Sequence, residues 1–134
     1  MDINRKNGDE LFEEINLLLQ DLIRGNFDKI MGTSIRGEKN RTYLLVCILG
    51  KMLAEISEYA NQLAEGNLSI QPPRRGNYLA MGVKNFHSKL NHLAWQIGQV
   101  AKGDYNQRID YMGELSEGFN WMTRQLQLRK AQAD

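Results

Sequence analysis

Apolar residues recur along this chain at alternating intervals of four and three, the spacing that puts them on one face of a helix. Leu11, Ile15, Leu18 and Leu22 predict a first helix over 9–24. Leu45, Leu49, Met52, Ile56, Tyr59 and Leu63 predict a second over 41–65, and Leu79, Val83, Phe86, Leu90, Leu93, Ile97 and Val100 a third over 77–102. Met112, Leu115, Phe119, Met122 and Leu126 repeat the pattern in a fourth. The alternation holds a period of about 3.5 residues, that of a coiled-coil seam, where a helix packed into an ordinary core drifts at about 3.6 and spreads a wider stripe. The pattern therefore favours an all-α coiled-coil bundle.

The helix ends carry an internal repeat. Leu22-Ile23-Arg24-Gly25-Asn26-Phe27, Leu63-Ala64-Glu65-Gly66-Asn67-Leu68 and Val100-Ala101-Lys102-Gly103-Asp104-Tyr105 share one order: apolar, two variable residues, Gly, Asn or Asp, large apolar. Ile30, Ile70 and Ile109 follow in turn. The glycine supplies the left-handed residue that closes a helix, and the Asn or Asp after it caps exposed backbone. The apolar pair beyond is then free to tuck the connector against the helices. The first connector has about 15 residues and the later ones about 10, where an antiparallel hairpin needs only 2 to 8. Ten extended residues reach about 33 Å, longer than the roughly 24 Å of a 16-residue helix. Each connector can thus return along its helix like a strand and start the next helix parallel to it. Two parallel helices leave half a seam uncovered, which a second chain would complete as a four-helix bundle.

These features resemble the HAMP domain, the parallel four-helix signal relay of bacterial histidine kinases, chemoreceptors and nucleotide cyclases. The first helix of that family ends in Gly-Asp-Leu, as in Gly66-Asn67-Leu68 and Gly103-Asp104-Tyr105. Its second helix starts at Asp-Glu-Leu-Gly and centres on Phe-Asn-x-Met. Here Gly113-Glu114-Leu115 leads to Phe119-Asn120-Trp121-Met122, and the middle copy has Leu79 and Phe86 with His87 in place of the Asn. The stretch from His92 to Met122 is similar to the N-terminal region of soluble bacterial sensor kinases and diguanylate cyclases. The resemblance covers 51–128, and 9–50 only through Gly25-Asn26-Phe27; the third connector is shorter than the family's usual one. It implies tandem modules at 9–50, 51–96 and 97–130, forming a parallel four-helix coiled-coil bundle as a homodimer. The residues it implies for packing and relay are Gly25, Gly66, Leu68, Ile70, Phe86, Gly103, Tyr105, Ile109, Glu114, Leu115, Phe119, Asn120 and Met122.

Composition narrows the chemistry. Hydrophobic residues make up 42% and charged residues 25%, a globular balance. With 17 basic against 16 acidic side chains the net charge is +1, so no global field draws in a nucleic acid or an anionic membrane. The N-terminus lacks an apolar signal segment, and the apolar run around Cys47 falls far short of the ~18 residues of a membrane span. A single cysteine fits a reducing cytosol, and Cys47 reads as a buried small hydrophobe. A cytoplasmic location follows. Gly32-Thr33-Ser34-Ile35-Arg36-Gly37-Glu38-Lys39 has the glycines of a phosphate-binding loop, but Glu38 stands where its lysine must be. His87 and His92, five residues apart, point about 140° from each other on a helix and cannot chelate one metal. Neither precedes the acid of a phosphoacceptor box, and both read as flanking or surface positions. Pro72-Pro73-Arg74-Arg75 reads as a stiff connector in preference to a basic docking site.

No catalytic constellation, cofactor site or metal site emerges. The expectation is a non-catalytic relay and dimerisation module that passes a change in helix packing to a downstream kinase or diguanylate cyclase of the same longer protein. The polar end Arg129 to Asp134 reads as the start of that linker. Gly50, Gly82, Gly98 and Gly118 lie inside predicted helices, where they either soften the bundle or admit close helix contact. The competing reading is a stand-alone helical adaptor or small-ligand sensor whose helices pack within one chain.

Overall fold

The computed structural model describes residues 7–133; the stretch Met1 to Lys6, read above for a targeting signal, and Asp134 lie outside it. The described chain is helical: α1 (Gly8–Ile23), α2 (Asp28–Gly32), α3 (Arg41–Ala64), a 3-10 turn (Tyr78–Ala80), α4 (Met81–Ala101) and α5 (Glu114–Ala133). Two compact units result. One holds the described residues up to Glu65 with Ile70–Ala80, the other Gly66–Ser69 with α4 and α5.

In the first unit, Asn7 caps α1 by accepting the Glu10 N–H at 2.8 Å, and Asn40 caps α3 by accepting that of Tyr43 at 2.9 Å. Ile15, Leu18, Ile30, Tyr43 and Cys47 form its core, with Leu11, Leu22, Phe27, Ile35 and Val46 packed around them. The Tyr43 hydroxyl donates to Glu14 Oε1 at 3.2 Å, joining the first turn of α3 to the middle of α1. Further along both, Gly50 faces Leu22 and Ile30. The register rises together, so α1 and α3 run the same way and the connector between them returns. A Cβ on Gly50 would stand 2.6 Å from Ile30 Cγ1 and 3.1 Å from Leu22 Cδ2, so here glycine admits close contact. Gly82, Gly98 and Gly118 have no such neighbour.

Two details depart from the sequence reading. The first connector is not strand-like throughout: residues 28–32 coil into one helical turn that drives Ile30 to 2% exposure. The cause is local. Asn26 Oδ1 accepts the Asp28 N–H at 3.2 Å and bends the chain, and no proline holds it extended as Pro72-Pro73 can in the second connector. The third helix begins at Met81, after the 3-10 turn, instead of at Asn77. Asn77 is held by its side chain, whose Nδ2 donates to the Met52 carbonyl at 3.0 Å and to Glu55 Oε2 at 3.1 Å.

Candidate functional site

The second unit is built around its connector. α4 closes on Gly103 at φ 101°, where the Gly103 N–H donates to the Val100 carbonyl at 2.9 Å and the Asp104 N–H to Gln99 at 3.0 Å. This pair of bonds satisfies carbonyls the helix end would otherwise leave open. α1 closes identically at Gly25, φ 75°, with Gly25 bonded to Leu22 at 3.0 Å and Asn26 to Asp21 at 2.9 Å. Gly66 adopts φ 86°. The residue after the glycine acts on the connector: Asp104 Oδ1 accepts the Asn106 N–H at 3.1 Å, as Asn26 does that of Asp28.

From there the connector climbs back between the two helices. Lys130 sits 5.8 Å from the Tyr105 ring, and Gln127 Nε2 donates to Asn106 Oδ1 at 2.8 Å. Asn120 engages both main-chain groups of Ile109: its Oδ1 accepts the N–H at 2.9 Å and its Nδ2 donates to the carbonyl at 2.7 Å. Ser116 Oγ then accepts the Met112 N–H at 2.8 Å. On α4, Gln96 Nε2 donates to the Arg108 carbonyl at 3.2 Å and to Gln107 Oε1 at 3.4 Å, while its Oε1 accepts the Tyr111 hydroxyl. The His92 ring lies 5.2 Å from that of Tyr111 and stacks on Trp95. As the connector runs from 111 down to 105, the level rises along α4 and along α5 alike. The two helices are parallel.

A second clasp of the same kind holds the stretch that precedes α4. His87 Nε2–H donates to the Leu68 carbonyl at 2.7 Å, and the ring is 5% exposed. The sequence reading placed His87 at a flanking or surface position; the carbonyl of half-buried Leu68 that it serves draws it inward. His87 follows Phe86 as Asn120 follows Phe119, and each holds a connector ahead of its own helix.

Burial sorts the residues singled out from sequence. Ile109 and Phe119 are buried, at 4% and 8% exposure, and Leu68, Ile70, Tyr105 and Asn120 are half-buried. Ile70 lies with Gly25 in the first unit; the others belong to the second. Glu114 and the apolar Phe86, Leu115 and Met122 face outward, the last three at 48%, 63% and 43%, as does Ile97 on the α4 seam. Sequence reasoning missed Gln96, Ser116 and Thr123, all buried, and the half-buried Tyr111. Burial, with Asp110 adding to it, pushes the Tyr111 hydroxyl above its ordinary value, so it stays a donor. Among the described residues no group of three or more His, Cys, Asp or Glu could hold a metal ion, and no helix is long and apolar enough to cross a membrane.

Residues 83–128 match the family model of the HAMP domain, and this stretch is a HAMP-like signal relay region. The match spans α4 from Val83, the whole connector and most of α5. Comparisons with curated proteins and with solved structures gave no match.

Proposed function

We propose that the chain is a non-catalytic relay and dimerisation module, in which parallel helix–connector–helix units pass a change in helix packing to a kinase or diguanylate cyclase output domain of the same longer protein. The observation that carries this reading is the contrast within residues 83–128. The connector is pinned by Asn120 and Gln96, while the apolar seam residues Phe86, Ile97, Leu115 and Met122 stay open to solvent. An open apolar stripe on two parallel helices is the half-seam that a second copy completes about a two-fold axis. The tandem reading, with modules at 9–50, 51–96 and 97–130, draws on the identical closures at Gly25 and Gly103 and on the paired clasps of His87 and Asn120. Gly66, Leu68, Ile70, Tyr105, Glu114 and Phe119 would then serve the same packing role in their modules.

The test is to fuse the chain to a cyclase or kinase output and measure basal activity of Leu68→Ser and Ile109→Ser. Altered output with unchanged helical circular dichroism is the expected result. Equal output from every connector variant would leave only a dimerisation scaffold.

One observation favours the small-ligand alternative. The first unit holds a concave cavity of about 660 Å³ lined in part by Phe27, Tyr59, Ile70, Asp28 and Glu58, a size that suits a small molecule. A sensor of that kind would work as a monomer, so solution mass separates the two readings.

A further inference from the structure

The two helices of the second unit hold their connector unequally. From α5 come three attachments, two of them to main chain: Asn120 to both groups of Ile109, Ser116 to Met112 N–H, and Gln127 to the Asn106 side chain. Parting the connector from α5 would strip both partners from the main chain of Ile109, a residue 4% exposed, and buried main-chain groups left without partners are what folded proteins avoid most consistently. From α4, side-chain hydrogen bonds to this part of the connector come from Gln96, at the longer distances of 3.2 and 3.4 Å apart from its bond with the Tyr111 hydroxyl. Arg108 is exposed, and Gln107 and Tyr111 are half-exposed. Water can take over every one of those bonds as α4 withdraws, and Gln96 would itself gain solvent.

We infer that the connector and α5 move as one body, that α4 is the helix that shifts against them, and that Gln96 and Tyr111 are the catch that sets the resting position. Both are positioning residues: they act through the connector and touch no substrate. The inference rests on the relay reading and adds to it which joint opens. It also accounts for a buried glutamine, at 5% exposure, where a leucine would pack more simply. A polar catch can release into water, and an apolar contact of the same size would hold α4 in place.

The experiment uses the same output fusion, with Gln96→Met, Tyr111→Phe and the double variant beside Ile109→Ser, together with amide exchange of Ile109 measured by NMR on the chain itself. Each single variant should shift basal output in the same direction by about fivefold, the low end of allosteric couplings, and the double no further than either single, because both remove one interaction. The Ile109 amide should keep its protection in these variants and lose about tenfold or more in Asn120→Ala. Additive shifts, or an Ile109 amide that opens in Gln96→Met, would overturn the inference. Unchanged output in Gln96→Met and Tyr111→Phe, with Ile109→Ser still active in shifting it, removes the catch and leaves the relay reading standing. Unchanged output in all of them removes both.

Discussion

The two units use the same parallel helix geometry with opposite interiors. The first fills the space between α1 and α3 with Leu18, Ile30, Tyr43 and Cys47, and it fits so closely that Gly50 has no room for a methyl group. The second puts Gln96, Ser116, Thr123 and the main chain of Ile109 between its helices and turns Phe86, Ile97, Leu115 and Met122 outward. Apolar burial without polar partners gives one tight packing that resists change. Hydrogen bonds to a connector can be traded for water, which lets two arrangements lie close in energy. The contrast thus separates a tightly filled apolar interior from one held by exchangeable hydrogen bonds.

The largest effect should come from the first interior. Leu18→Ala removes a side chain 1% exposed and should cost about 3 to 5 kcal/mol in urea unfolding. Phe86→Ala, at 48% exposure, should cost less than about 1 kcal/mol at dilutions where the chain is monomeric. Equal losses would erase the distinction. Glycine replacement sharpens the comparison: Gly50→Ala overpacks against Ile30 and Leu22 and should destabilise by about 1 to 3 kcal/mol. Gly118→Ala meets nothing within 4 Å and should stabilise α5 by about 1 kcal/mol at most. Gly103→Ala has room for its methyl but not the backbone, since φ 101° disfavours any L side chain, and about 1 to 2 kcal/mol should be lost.

Acidity gives the smallest and most selective effect. Burial raises the Cys47 thiol from an ordinary value near 9 and the Tyr43 hydroxyl from one near 10, the latter also through Cys47 and Glu14. In both the folded state binds its proton more tightly than the unfolded state, so the stabilisation is complete below pH 9 and declines as pH rises beyond it. Tyr111 shifts the same way in the second unit, so the first, with both Tyr43 and Cys47, should lose more amide protection on alkaline titration than the second. Equal loss would contradict the difference in interiors.

Periodicity made the long helices legible because apolar residues recur at fixed spacing on each, although Leu45, Leu49, Phe86, Ile97, Leu115 and Met122 of those stripes are exposed in the single chain. It could not reveal the turn at 28–32, too short to show a period, nor the second apolar stripe of α1, where Phe12, Leu19 and Ile23 stay exposed beside the buried Ile15 and Leu18 and the half-buried Leu11 and Leu22. The clasps divided in the same way. Asn120 stood out through its place in a recognisable motif, whereas Gln96 and His87 are polar residues that pattern reading assigns to the surface. Each serves a main-chain carbonyl, of Arg108 and of Leu68, and such a partner leaves no mark in a sequence.

The central claim is that the open seam of α4 and α5 is half of an interface between two copies of this chain. Sedimentation equilibrium at tens of micromolar decides it. A mass twice the 15.4 kDa of one chain, reduced toward a single chain by Met122→Lys at the seam, is the predicted result. A monomer at that concentration, with Met122→Lys indistinguishable from the parent, would contradict it.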